Sequence, residues 1–228
     1  DAIRRSLEAV YGDQVLVDFC MRYGNPSTES KVREMVDAGC DKILFFPLYP
    51  HYAGATWATA NDQFFRALMK EKWQPSVRIV PPYFEDAAYI DALAGSVERA
   101  YAAAEVKPDL LVCSYHGVPE RYLREGDPYH CQCHKTARLL AEALELSKDQ
   151  YRDTSQSRFG KAKWLEPSTV NTLEKLAQNG VKKLLVLCPA FVTDCLETLE
   201  EIALQGAEEF KQAGGESLTL IPCLNDHD

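Results

Sequence analysis

The sequence predicts an α/β protein made of two doubly wound parallel-sheet units, the first of them incomplete. Three observations carry this. Apolar strand-like runs and amphipathic helical stretches alternate almost strictly, and Gly and Pro punctuate the changeovers. The chain also opens on a helical stretch with no strand before it and closes just past a strand with no helix to cover it. A β-α-β rhythm of this kind produces parallel sheets with helices on both faces.

The elements follow in order. A helix over 1–11 leads to a strand over Val15 to Met21, ended by Gly24-Asn25-Pro26-Ser27. A helix from Thr28 to Ala38, stopped by Gly39, leads to a strand over Lys42 to Leu48. Pro47, Pro50 and Gly54 make a loop before a long helix from Thr56 to Lys72, and a strand over Val77 to Pro81 follows. Next come a helix from Ala87 to Ala104, a strand from Leu110 to Tyr115, a loop to about Gln132 and a helix from Lys135 to Leu146. A short strand near Tyr151 to Ser155, a helix from Ser168 to Asn179, a strand from Lys183 to Leu187, a helix from Cys195 to Ala213 and a strand from Ser217 to Ile221 complete the series. A break near Pro81-Pro82 divides the chain into a partial first domain, 1–81, and a second, 82–228.

Composition narrows the function. With 228 residues, 46% of them hydrophobic, there is ample material for a core, and a net charge of -9 argues against gripping nucleic acid through its phosphates. Asp1-Ala2-Ile3-Arg4-Arg5 begins an amphipathic helix and not a signal peptide, and no apolar run is long enough to span a bilayer, so the expected compartment is the cytoplasm. Eight scattered cysteines read as reduced thiols. The exception is His130-Cys131-Gln132-Cys133-His134, four soft-metal ligands in five positions, although a metal or iron–sulfur site usually needs a second ligand pair elsewhere. No dinucleotide fingerprint or phosphate loop occurs, so an organic nucleotide cofactor is unsupported.

In a doubly wound fold ligands lie in the crevice at the carboxyl ends of the strands. Arg22-Tyr23-Gly24, Tyr49-Pro50-His51, His116-Gly117 and the run from Phe191 to Glu197 all directly follow predicted strands. Gly24, Pro50 and Gly117 also suit turns whatever the function. Glu197 and Glu201 stand four apart at the start of a predicted helix, a like-charge pair that a helix avoids unless it is solvated or holds a cation. Each has a plainer reading: Glu197 as a carboxylate favoured by the helix dipole, Arg22 as a partner for a nearby acid, Trp164 as loop packing.

Taken together, Phe46-Pro47-Leu48-Tyr49-Pro50-His51-Tyr52, Ser114-Tyr115-His116-Gly117-Val118-Pro119, Gly126-Asp127-Pro128-Tyr129, Gln156-Ser157-Arg158-Phe159-Gly160, Lys163-Trp164-Leu165-Glu166-Pro167 and Asp194-Cys195-Leu196-Glu197-Thr198-Leu199-Glu200-Glu201 closely resemble the ferrochelatases, bacterial type. That family inserts ferrous iron into protoporphyrin IX in the last step of protohaem synthesis. The resemblance runs along essentially the whole chain. It implies two chelatase-like, Rossmann-like domains with the porphyrin cleft between them, and the family's opening strand and closing helix as absent here. By the same resemblance His116 and Glu197 are the catalytic, metal-handling pair, and Glu201 is the next rung of an acidic ladder. Arg22, Tyr23, Tyr49, Trp164, Phe191 and Asp194 then border the substrate. Two departures stand out: Cys195 where many members carry histidine, and Gln205 where the ladder would continue. The implied reactants are protoporphyrin IX and Fe²⁺, with no organic cofactor and no support for a [2Fe-2S] cluster in the residues present. Membrane contact would be peripheral, and the oligomeric state is unreadable. Other readings are a chelatase for coproporphyrin or another tetrapyrrole, a non-catalytic porphyrin or haem carrier, and an iron–sulfur or zinc protein organised by Cys131 and Cys133.

Overall fold

The computed structural model describes residues 2–226, which divide into two compact units. One comprises residues 2–48 and 53–82; the other comprises Tyr49–Tyr52 and Tyr83–Asn225.

The first unit opens with α1 (Ala2–Tyr11) and continues to α2 (Thr28–Asp37), whose first turn is capped by the Ser27 hydroxyl accepting from the Ser30 N–H at 3.1 Å. Strands β1 (Lys42–Phe45) and β2 (Ser76–Ile79) pair in parallel, Ile43 opposite Val77, across a connection that contains α3 (Thr59–Leu68). Val32, Ile43, Phe64, Ala67 and Leu68 close a small core, and the Phe45 ring stacks on Phe64 at 4.3 Å. The expected strand over Val15 to Met21 does not form. A strand exists only where a neighbour accepts its ladder, and among the described residues this segment makes only an isolated bridge between Met21 and Ser27. It is tied to α1 instead, through the Arg4 guanidinium donating to the Val17 carbonyl at 2.8 and 3.1 Å. The long helix expected from Thr56 is a π-wound turn, Gly54–Ala58, running into the shorter α3.

The second unit is a four-stranded parallel sheet. Its strands are β3 (Leu110–His116), β4 (Tyr151–Gln156), β5 (Lys183–Leu187) and β6 (Ser217–Leu220), in the order β4-β3-β5-β6. The chain leaves β3 for β4 on one side, then crosses back to β5 and β6 on the other. Right-handed crossovers therefore put the connecting helices on opposite faces, with the switch point between β3 and β5. Helices α4 (Ala87–Ala103) and α6 (Tyr129–Ala143) pack together; α7 (Thr169–Gln178) and α9 (Ala207–Gln212) share the other core. Leu110, Val112, Leu184 and Val186 face that second core with Leu173, Ile202 and Phe210, whereas the alternate residues Leu111, Cys113 and Tyr115 point to the opposite face. Every β3 residue up to Tyr115 is buried, as a central strand covered on both faces requires.

Two expectations are corrected here. The loop after His116 contains a short helix, α5 (Glu120–Arg124), and α6 begins already at Tyr129. Its first turn is held by the Asp127 carboxylate accepting from the Tyr129 N–H at 2.9 Å, and Tyr129, Cys133, Thr136, Ala137 and Leu140 form one buried stripe at helical spacing. The helix expected over 195–213 is interrupted: α8 (Leu196–Leu199) gives way to a π-wound segment, Glu201–Gly206, before α9. There the Gln205 N–H reaches the Glu200 carbonyl five residues back, at 2.9 Å.

Candidate active site at the carboxyl ends of the strands

His116 is the last residue of β3, at the carboxyl end of this central strand and next to the switch point. Its Nδ1 lies 2.7 Å from the Gly117 carbonyl oxygen, which can only accept. Nδ1 therefore carries the hydrogen, and in the neutral ring the Nε2 lone pair is left for a proton or a metal. Trp164 and Phe191 flank the imidazole, with ring centroids 6.5 and 6.4 Å away.

Gly117 is where this arrangement depends on a missing side chain. Its N–H donates to the Gln156 carbonyl at 2.8 Å. A Cβ at this position would meet that same oxygen at 2.8 Å and the Trp164 ring at 3.1 Å. Any larger residue would push the strand end off Gln156 and off Trp164 together.

Gln156 ends β4 in register with His116, and it is the residue the sequence reading left without a role. It is 3% exposed, and both ends of its amide are occupied. Oε1 accepts from the Ser114 hydroxyl at 2.7 Å, while Nε2 donates to the Glu197 carbonyl at 2.7 Å and to the Glu201 carboxylate at 3.3 Å. Ser114 extends the buried network to Thr169 and thence to Thr154. One amide thus fixes the acidic turn after β5 to the strand that ends beside His116. The signal in the sequence was a glutamine closing a strand whose position is otherwise buried.

The two acids of that turn have different surroundings. Glu201 receives the Ser157 N–H and the Ser157 hydroxyl, each at 2.6 Å. Ser157 adopts a left-handed conformation, φ 61°, uncommon for a residue other than glycine, and this places both donors on one carboxylate. Glu197 is half-buried and lies against the Cys195 thiol, whose pKa is raised, first by burial and then by that carboxylate. The four-residue spacing therefore does not produce a bare like-charge ladder, because neutral donors from Gln156 at the end of β4 and from Ser157 just after it hold Glu201. Among the described residues no three His, Cys, Asp or Glu side chains are gathered around one point as an ion cage.

Trp164 is 5% exposed, makes an edge contact with Phe159 at 4.8 Å, and buries its indole N–H without a partner. Phe191 packs on the α7/α9 core. The Asp194 carboxylate accepts from the Asn225 amide at 2.8 Å, the Cys223 N–H at 3.2 Å and the Thr198 hydroxyl at 3.2 Å. Burial pulls its pKa up, but these hydrogen bonds outweigh that and hold it below the ordinary value. Asp194 thus ties the loop after β5 to the segment after β6. Tyr49 is half-buried in the second unit. Arg22 and Tyr23 belong to the first unit, where the guanidinium sits over the Tyr23 ring at 4.5 Å and Tyr23 is largely exposed.

Comparison with known proteins identifies the family. The ferrochelatase family model matches residues 1–228. A ferrochelatase from Rhodobacter capsulatus is 58% identical over 227 residues, 99% of this chain and 65% of the relative. One from Rhizobium meliloti (strain 1021) is 55% identical over 213 residues, 93% of this chain and 63% of the relative. The chain therefore spans somewhat less than two thirds of the curated relatives it matches. Among solved structures, SirB from Bacillus subtilis with Fe³⁺ superimposes with a TM-score of 0.68 at 13% identity, covering 99% of this chain and 81% of that one. The sirohydrochlorin chelatase SirB of B. subtilis subspecies spizizenii in complex with cobalt gives 0.62 at 13% identity. At that identity the likeness shows the fold alone. The agreement of family model, relatives and strand-end chemistry leads to one conclusion: this chain belongs to the ferrochelatase family.

Proposed function

We propose that the chain carries the catalytic centre of an enzyme that inserts Fe²⁺ into protoporphyrin IX to form protohaem. The observation that carries this reading is the pairing of an imidazole whose Nε2 lone pair is free with a fixed acidic turn, the two joined through Gln156. Metallation breaks two pyrrole N–H bonds and forms bonds from the macrocycle nitrogens to iron, so two protons must leave as the cation arrives, with no change of oxidation state. His116 Nε2 is the group to accept the first proton, since its Nδ1 is already committed to Gly117. Glu197 is the group to shed solvent from the incoming cation and pass protons outward, with Glu201 held by Ser157 as the next acceptor. Trp164 and Phe191 supply apolar surface for a flat ring next to that imidazole. Tyr49, Arg22, Tyr23 and Asp194 are assigned to the substrate surround through the family resemblance.

All eight cysteines are free thiols, which supports a reducing compartment, the cytoplasm. Among the described residues no helix is long and apolar enough to cross a membrane. Peripheral membrane contact remains part of the reading through the family resemblance.

The test is anaerobic loss of protoporphyrin IX fluorescence on addition of Fe²⁺ or Zn²⁺, in a protein carrying this chain at the full length of its relatives. Rapid quenching is expected, and its disappearance in His116→Ala. Porphyrin binding with equal metallation in both forms would overturn the assignment of His116, and binding without metallation in either would leave a carrier. Coproporphyrin III run in parallel identifies the preferred tetrapyrrole.

A further inference from the structure

The run His130-Cys131-Gln132-Cys133-His134 takes no part in the site described above, and the fold separates its four soft ligands. Cys133 lies on the buried stripe of α6 in hydrogen-bond contact with Tyr129, and Cys131 is exposed. The two histidines, one helical turn apart, converge instead: Nε2 of His130 and Nε2 of His134 are 2.8 Å apart, their rings nearly perpendicular. The other nitrogen of His134, Nδ1, is paired with the Asp153 carboxylate of β4.

This second contact settles the tautomer. A carboxylate beside Nδ1 holds the hydrogen there, so neutral His134 directs its Nε2 lone pair at His130. A carboxylate, an imidazole and an outward lone pair in that order are what orients a metal-binding histidine elsewhere in proteins. Two imidazole nitrogens on a tetrahedral ion at about 2.05 Å sit about 3.3 Å apart. The observed pair is within roughly half an ångström of that, a small swing for side chains that are partly exposed. A cavity of about 20 Å³ lined by His130, His134, Asp153 and Glu166 adjoins the pair, room for about one water-sized occupant.

We propose that His130 and His134 form a two-nitrogen site for a borderline first-row divalent cation, with Asp153 orienting His134 and water completing the coordination. The class follows from the donors: imidazole suits Zn²⁺, Ni²⁺, Co²⁺ and Cu²⁺, whereas Mg²⁺ and Ca²⁺ prefer oxygen cages. Among the described residues no third protein ligand joins the pair, which fits an exchangeable site and not a structural one. The inference stands independently of the reaction proposed above.

The experiment is a calorimetric titration with Zn²⁺ and then Mg²⁺, in a His116→Ala, Cys131→Ser background so that neither the strand-end histidine nor the exposed thiol contributes. One Zn²⁺ per chain is expected, with no competition from Mg²⁺. Affinity should fall at least about tenfold in His130→Ala and about 10- to 100-fold in Asp153→Asn, which removes only the orienting charge. His130 is the decisive position because it lies outside the buried stripe of α6, and circular dichroism of that variant should match the parent. Unchanged zinc affinity in His130→Ala, or absence of zinc binding in the parent background, would overturn the proposal.

Discussion

His51 and His116 occupy the same kind of place in the sequence, just past an apolar run and beside a Pro or Gly, yet their surroundings in the second unit make them opposites. His51 is 2% exposed and ringed by Tyr115, Tyr129 and Phe84. The Thr136 hydroxyl donates to the Phe84 carbonyl at 2.7 Å, so it can only accept at His51 Nε2, 2.9 Å away. His51 therefore carries its hydrogen on Nε2 and buries Nδ1 without a partner. His116 is the mirror case: its hydrogen is on Nδ1, pinned by a backbone carbonyl, and its Nε2 is not buried. The difference teaches that neither motif position nor residue type makes a histidine chemically useful. What matters is which nitrogen the fold consumes and whether the other one is sealed or open.

The largest test of this contrast exchanges the consequences. His116→Ala should cut metal insertion at least about a thousandfold, roughly 4 kcal/mol of barrier, while leaving the unfolding midpoint within about 0.5 kcal/mol. His51→Ala should do the reverse, costing about 2–4 kcal/mol of stability through a buried cavity and an orphaned Thr136. Its protein that remains folded should keep most of its turnover. Paired fluorimetric assays and denaturant melts of both variants check this, and a His51→Ala that unfolds normally but fails to metallate would erase the distinction.

Much of this was legible in the sequence, for identifiable reasons. The β3 strand, β5 and α7 announced themselves by apolar period, and α7 also by Ser168 at its start, because both faces or one full stripe of each is buried. The first turn of α6 was not legible, since His130 to His134 looks like ligand chemistry while only Tyr129 and Cys133 in it are buried. The strand over Val15 to Met21 failed because apolar character cannot supply a neighbour. At the strand ends, His116 and the acidic turn stood out as candidates from motif position. Gln156 was not, because its importance lies in a cross-strand register and in two hydrogen bonds to the next crossover that no local pattern encodes.

A second test is the pH dependence of stability. Burial holds His51 down to about 3 from an ordinary 6.5. The unfolded chain therefore takes up a proton below pH 6.5 that the native ring refuses until about 3. The native state loses about 1.4 kcal/mol per pH unit from this group as the pH falls through that window. The predicted sign is thus stability rising with pH between about 3 and 6.5 and level above. Comparing denaturant midpoints of the wild type and His51→Gln at pH 4.5, 5.5 and 7 isolates this share from that of the carboxylates. Parallel slopes in the two proteins would show that the ring is not sealed.

Thr136→Val sharpens the comparison further, because it keeps the volume near His51 and removes only the hydroxyl. It leaves the His51 Nε2–H and the Phe84 carbonyl both unpaired inside the protein, a loss of about 2 kcal/mol in stability. Metal insertion should be unaffected. Thermal or denaturant unfolding reads the first, and the fluorescence assay reads the second.

The smallest expected effect is the most specific to the strand end. Gln156→Leu keeps roughly the size of the side chain but strips its amide, leaving the Ser114 hydroxyl and the Glu197 carbonyl to find other partners. Ser114 retains Thr169, so the stability cost should be modest, about 1–2 kcal/mol. Glu201 retains both bonds from Ser157, so the turn should not detach. What loosens is the placement of Glu197 relative to His116, since Gln156 joins β4 to the Glu197 carbonyl while pairing in register with His116. Turnover should therefore fall about tenfold with little change in porphyrin affinity, because misplacing the proposed proton carrier slows the step without altering the apolar walls. Equal losses in affinity and turnover would mean that Gln156 shapes the pocket, and the contrast between the sealed and the open histidine would then rest on burial alone.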